Sequence, residues 1–142
     1  MEPGTLIVDN EFVYRDGSKG KKILIVLNDG TVGHYIIIKT TSKDTYKGIS
    51  FGCQSKDRYP NFFLPKGCCC LKKNTWVMID QFFEMTSHEL LDKHFSGKMN
   101  RIGVLPLSIL KNLLDCASDC LDISFAQARV LKDTLRELNS RK

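Results

Sequence analysis

One stretch constrains this chain more than any other. Gly17-Ser18-Lys19-Gly20-Lys21-Lys22 runs straight into Ile23-Leu24-Ile25-Val26-Leu27 and is closed by Asn28-Asp29-Gly30. The apolar run is too short to span a membrane and β-branched enough to read as a buried strand. Asn-Asp-Gly is turn chemistry, so the next apolar run, Val32-Gly33-His34-Tyr35-Ile36-Ile37-Ile38-Lys39, is expected to return antiparallel beside it. Ahead of the first run, Lys19, Lys21 and Lys22 repel one another unless an anion sits nearby. The glycines let that backbone take positive φ or approach a ligand closely. The pattern predicts a mobile cationic loop on the rim of a rigid sheet, a common way to present a binding or catalytic group. A plain solvated hairpin loop is the alternative.

The rest of the chain places strands first and helices last. Residues 5–8 and 11–15 read as extended, with Phe12 and Tyr14 on one face and Val13 on the other. Residues 43–61 are polar, carry Gly48, Gly52 and Pro60, and predict a long loop with a short strand over 48–53. Strands are expected over 61–64 and 68–72, around Pro65-Lys66-Gly67, and over 74–83 with Trp76 in the core. Ser87 with Leu90 and Leu91 opens a short helix stopped by Gly97. Pro106 suits the first turn of a second helix, with Leu107, Leu110, Leu113, Leu114 and Ala117 as its apolar stripe. Ser124 and Gln127 form a capping box for a last helix whose stripe is Phe125, Ala128, Leu131, Leu135 and Leu138. The order implies an α+β fold: one domain over 1–142, with a small, curled, mostly antiparallel sheet and helices against one side.

The net charge of +5 lies wholly in the strand-rich half. Residues 1–75 hold twelve Lys/Arg against seven Asp/Glu, and residues 76–142 hold nine of each. Such a bias favours an acidic partner such as RNA, DNA or an acidic protein segment. No apolar run resembles a signal peptide or a membrane span, so a soluble cytoplasmic protein is expected. The six cysteines are then read as reduced and mostly structural, with Cys116 and Cys120 packed on one helical face. Cys68, Cys69 and Cys70 would alternate across a strand. The paired spacing of a zinc site is absent, although His34, Cys53 and two of the triple form a weak candidate set. Paired carboxylates for hydrolysis, a nucleophile elbow and a P-loop are all missing, and no cofactor is called for.

In order and spacing, these features resemble the MazF/PemK/Kid-type toxins of bacterial toxin–antitoxin pairs. The likeness is carried by Gly17-Ser18 with Lys21-Lys22, the strand ending in Asn28-Asp29, and Ile36-Ile37-Ile38-Lys39-Thr40. It continues through Asn74-Thr75-Trp76-Val77-Met78-Ile79-Asp80-Gln81 and Glu89-Leu90-Leu91. The resemblance implies an SH3-like β-barrel over 1–85, family helices over 86–121 and an added C-terminal helix over 122–142. It further implies a homodimer, an antitoxin partner, and metal-independent cleavage of single-stranded RNA along a basic groove. The family's catalytic arginine, followed by proline, is replaced here by Lys21 and Lys22, while its Thr/Ser is present as Thr40 or Thr41.

Cleaving RNA without a metal uses the ribose 2′-OH against its own phosphate. The site must neutralise charge growing on phosphorus and protonate the leaving oxygen. Lys21 is the candidate for charge stabilisation and proton donation, with its pKa lowered by Lys19 and Lys22. Thr40 or Thr41 would donate to a non-bridging oxygen. His34 is a candidate proton carrier, although its alternation with Ile36 and Ile38 favours a packed structural role. Tyr35, Tyr46, Tyr59, Phe62 and Phe63 are candidates for stacking bases beside Lys43, Lys47, Lys56 and Arg58. Asp80 and Gln81 would either fix a base edge or close the strand. Two functions fit: an endoribonuclease acting through Lys21 and Thr40, or a non-catalytic barrel that binds RNA or a partner peptide.

Overall fold

The computed structural model describes residues 1–43, 50–56, 59–120 and 123–140. In chain order the elements are β1 Thr5–Val13, β2 Lys19–Val26, β3 His34–Thr41, β4 Gly52–Gln54, β5 Asn61–Leu64 and β6 Thr75–Thr86. Then come α1 Ser87–Phe95, β7 Met99–Val104, α2 Leu107–Ser118 and α3 Phe125–Ser140. The strands form one curled antiparallel sheet in the order β4-β5-β6-β3-β2-β1-β7, followed by the C-terminal helices.

The apolar runs of β2 and β3 are unbroken because both faces of this central pair are covered. On one face Ile25, Leu27, Ile36 and Ile38 pack with Leu110, Leu113 and Leu114 of α2, and with Leu131 and Leu138 of α3. On the other, Leu24, Val26, Tyr35 and Ile37 pack with Met85, Leu90 and Met99. Register shifts along β1 and between β3 and β6 accompany the curl. Along β6 the residue paired with β3 jumps from Phe82, opposite Ile38, to Val77, opposite Thr40, so 78–81 bulge and bend the strand.

Asn28 closes the β2–β3 connection from inside. Its Oδ1 accepts the Ile36 N–H at 2.8 Å and its Nδ2 donates to the His34 carbonyl at 3.1 Å, with the residue only 1% exposed. Gly30 follows at φ +77, and a Cβ there would sit 2.6 Å from the Tyr35 ring, so glycine is required twice over.

Helix starts match the local signals closely. Ser124 and Gln127 form the reciprocal capping box, with the Ser124 N–H donating to Gln127 Oε1 and the Gln127 N–H to Ser124 Oγ. The N-cap of α1 is Thr86, whose Oγ1 accepts the Glu89 N–H.

Other expectations are corrected. The basic loop is mostly strand, because Lys19 to Lys22 already belong to β2 and only a tight turn around Gly17 precedes them. Residues 68–72 form turns rather than a strand, with Cys69 at φ 54 and the Cys68 and Leu71 N–H groups donating back to Pro65 and Cys68. β7 was not foreseen; its sequence is short and mixed, and it pairs with β1 alone. Phe125 is 86% exposed rather than part of the α3 stripe. Cys116 is buried but not reduced: it is joined to Cys53 in a disulfide that ties β4 to α2, while Cys68, Cys69, Cys70 and Cys120 form no disulfide. That disulfide removes Cys53 from the zinc candidate set. Among the described residues no group of three or more His, Cys, Asp or Glu is arranged to hold a metal ion. No described helix is long and apolar enough to cross a membrane.

Replacing Asn28 with Ala strands the Ile36 N–H and the His34 carbonyl in the core. Chemical denaturation is expected to show a loss of about 1–3 kcal/mol, whereas Asn10→Ala, which loses one long exposed bond to Gly97, is expected to change stability by less than about 0.5 kcal/mol.

Candidate functional site

Strand alternation sorts the lysines onto two faces. Lys22 shares the face of Leu24 and Val26, while Lys19 and Lys21 share that of Ile23 and Ile25. On β3, Lys39 and Thr41 follow Tyr35 and Ile37, whereas Thr40 follows Ile36 and Ile38. Leu24 pairs with Lys39, and continuing that register brings Lys22 level with Thr41. Lys22, Lys39 and Thr41 therefore gather on one face, at the end of the β2–β3 pair.

Aromatic rings hold this cluster. Phe12 lies with the Lys22 Nζ 5.8 Å and the Lys39 Nζ 5.4 Å from its ring centroid. Tyr14 stands edge-on to Phe12 at 5.4 Å, and its own ring centroid is 5.6 Å from Lys22 Nζ. Phe83 of β6 flanks Lys39 at 5.9 Å. Tyr14 fits there because residue 20 is glycine: a Cβ on Gly20 would lie 2.9 Å from the Tyr14 ring, whose hydroxyl donates to the Lys21 carbonyl. Cation–π attraction offsets part of the repulsion between the ammonium groups. It does not remove it. Burial first, and then the charges of Lys39 and Lys43, hold the Lys22 amine below the usual lysine pKa.

The hydroxyls divide in the same way. Thr40 is 3% exposed and its Oγ1 donates to the Ile23 carbonyl at 2.8 Å, so it serves the sheet. Thr41 accepts the Lys43 N–H at 3.2 Å, which leaves its own hydrogen to donate outward on the lysine face. Lys21 and Thr40 thus do not converge at an open surface; their sequence neighbours Lys22 and Thr41 do.

His34 lies on the α2–α3 face, its Nε2 3.4 Å from Glu84 Oε1, and Glu84 in turn accepts from Gln127 of α3. It is not brought to the lysine cluster. Asp80 and Gln81 sit in the β6 bulge opposite the Lys39 position, both partly buried. Lys19 is exposed at the start of β2, and Tyr59 is 46% exposed just ahead of β5. Tyr35, Phe62 and Phe63 are core residues, at most 4% exposed, and offer no stacking surface. Tyr46, Lys47 and Arg58 lie outside the described residues.

The sequence reading missed Lys39 and Phe83 as site residues, and missed that Lys43 belongs to a second lysine group. Lys43, Lys66, Lys72 and Lys73 line an open pocket of about 590 Å³ whose buried wall is Trp76, packed on Phe63 at 5.2 Å between centroids. Lys39 was legible from parity with Ile37. The second group depends on how the β5–β6 connection turns, which alternation does not report.

No family model and no curated protein matches the sequence. Among solved structures, the chain is similar to a chain of the MazE–MazF complex (Form II) from Deinococcus radiodurans. Identity is 18%, the TM-score is 0.56, and the match covers 87% of this chain and 97% of that one. The fold is MazF-like. The MazF-like fold accounts for the curled antiparallel sheet and the helices after it; at this identity it speaks for architecture alone.

Crowding of Lys22 has a measurable cost. Its charged form is disfavoured in the folded state, so protonated Lys22 subtracts stability at pH 7. That loss fades as pH rises through the folded-state pKa and is gone above the unfolded value of 10.5. Lys22→Met is expected to raise the melting temperature at pH 7 by about 1–3 °C, with the gain shrinking towards pH 10.5; thermal melts across pH check both.

Proposed function

We propose that this chain is a MazF-type endoribonuclease that binds single-stranded RNA along the lysine face and cleaves it by attack of a ribose 2′-OH on the adjacent phosphate. The observation that carries this is the gathering of Lys22, Lys39, Lys43 and the Thr41 hydroxyl at one place, beside the half-buried rings of Phe12 and Tyr14. Lys39 and Lys43 neutralise the phosphate as negative charge grows on its oxygens. Thr41 donates to a non-bridging oxygen. Lys22, with its lowered pKa, is the proton donor: the O2′–P bond forms, the P–O5′ bond breaks, and the ammonium proton passes to O5′. The 2′-OH proton leaves to water, and the products end in a 2′,3′-cyclic phosphate and a 5′-OH. Lysine suits this step where arginine would not, because an amine releases its proton and a guanidinium does not. The similarity to a chain of a MazE–MazF complex supports an antitoxin partner; our reading places an acidic segment of it on the same lysine face and pairs the chain with a second copy.

The test is incubation of the purified protein with single-stranded RNA of mixed sequence in the presence of chelator. Fragments with cyclic phosphate ends are expected, falling by about 10²-fold or more for Lys22→Met and unchanged for Lys132→Ala on the exposed side of α3. As pH rises, cleavage is expected to decline at a pH below the usual lysine pKa of 10.5, since the donor must be protonated. Loss with Lys21→Ala but not with Lys22→Met would overturn the assignment to this face. RNA that is bound, with steep salt dependence, yet stays intact would identify the barrel as a binding module instead.

A further inference from the structure

The pocket beside β3 holds more positive charge than an RNA backbone needs. The connection from β5 to β6 folds back on itself at Gly67 and Cys69, and Asn74 Oδ1 accepts the Lys66 N–H at 2.8 Å, pinning its two ends together. Lys66, Lys72 and Lys73 thereby meet Lys43, which stands just past the end of β3. Asn74 and Ser42 add an amide and a hydroxyl at the rim. Among the described residues no carboxylate lines the pocket and none of the four lysines is in an ion pair. Trp76, 4% exposed, is the wall and not a stacking platform, so among the described lining residues no ring is offered to a base.

Charge density decides what fits. A pocket of about 590 Å³ is the size that takes one small ligand. Passing RNA leaves a single negative charge per phosphodiester in such a space. A terminal phosphate brings about −1.5 to −2, and each further phosphate in a chain adds another charge. A phosphate chain matches four ammonium groups in so small a volume better than a single phosphodiester does. We propose that this pocket binds a triphosphate group, read by its charge and not by any base attached to it. The group has two sources with the same chemistry, the 5′-triphosphate end of an RNA and a free nucleoside triphosphate. Lys43 also bears on Lys22, so a triphosphate seated here lies next to the lysine face. The RNA source rests on the function proposed above; the pocket itself does not.

The experiment compares one single-stranded oligonucleotide in 5′-triphosphate, 5′-monophosphate and 5′-hydroxyl forms by fluorescence anisotropy. Inorganic tripolyphosphate and a nucleoside triphosphate are titrated separately by calorimetry. The triphosphate form is expected to bind at least about tenfold tighter than the hydroxyl form, a difference of about 1.4 kcal/mol. Tripolyphosphate alone is expected to bind and to erase that preference. The double variant Lys72→Ala/Lys73→Ala, and separately Lys66→Gln, are expected to lose the preference while binding the hydroxyl form within about twofold of the unaltered chain. A nucleoside triphosphate that binds as tightly as the RNA end identifies the free nucleotide as the source; weaker binding identifies the RNA end. Absence of tripolyphosphate binding, or equal affinity for all three RNA forms, overturns the proposal. If no RNA binds at all, the lysine-face function fails, and the tripolyphosphate titration still decides the pocket.

Discussion

The constraint on which the rest depends is the burial of both faces of the β2–β3 pair. Along Leu24 to Val26 and Tyr35 to Ile38 every side chain meets a core, so a slip of register by one residue would exchange two complete apolar sets. Asn28 fixes that register by bonding to both the His34 carbonyl and the Ile36 N–H. With the register set, the residues beyond the core have no choice of side. Lys22 and Lys39 must project where Leu24 and Ile37 project, and Lys21 and Thr40 must project the other way.

A lysine pair placed at the end of a core would ordinarily unravel the strand ends. Here the strands hold because aromatic rings take over where the aliphatic core stops. Phe12 contacts both lysines, and Tyr14 and Phe83 flank them on either side. The rings supply buried area and a negative π face together, which methyl groups do not. The remaining repulsion is a local weakness held by a well-packed scaffold, the pattern expected where binding and stability compete. An anion relieves it. On the proposed function, the same charge that costs stability in the free protein would become binding energy for a phosphate.

Local signals in the sequence proved legible. The Ser124 capping box, the strand over 61–64 and the core position of Trp76 each depend on neighbours within a few residues. Phe12 and Tyr14 were also placed on a common face by alternation alone, and the edge contact between them bears this out. What failed was information carried by partners distant in the chain. β7 exists because β1 offers it an edge, and the Cys53–Cys116 bond needs a separation of 63 residues to close. The lysine at the site is a subtler case. Lys21 and Lys22 differ by one position, and the choice turns on whether the strand begins at Ile23 or at Lys19. Glycine at 17 and 20 argued for a loop; Gly20 is in fact a strand residue kept small so that Tyr14 can lie across it.

The two lysine groups are joined through Lys43, and that shared residue shapes the electrostatics of the whole edge. Its backbone N–H is held by Thr41, so it cannot drift far from the β3 end. Its charge lowers the Lys22 pKa and also contributes to the pocket with Lys66, Lys72 and Lys73. Neutralising Lys43 with an anion in the pocket would therefore let the Lys22 pKa rise, because one of the two charges opposing its protonation is masked. Occupancy of the pocket and the protonation state of the amine proposed as donor are thus linked through one side chain, in a direction that keeps Lys22 protonated to higher pH. Such coupling needs no change of shape. Two groups of like charge sharing a member are sufficient, provided the scaffold is stiff enough that repulsion is not relieved by movement, and the doubly buried β2–β3 pair supplies that stiffness.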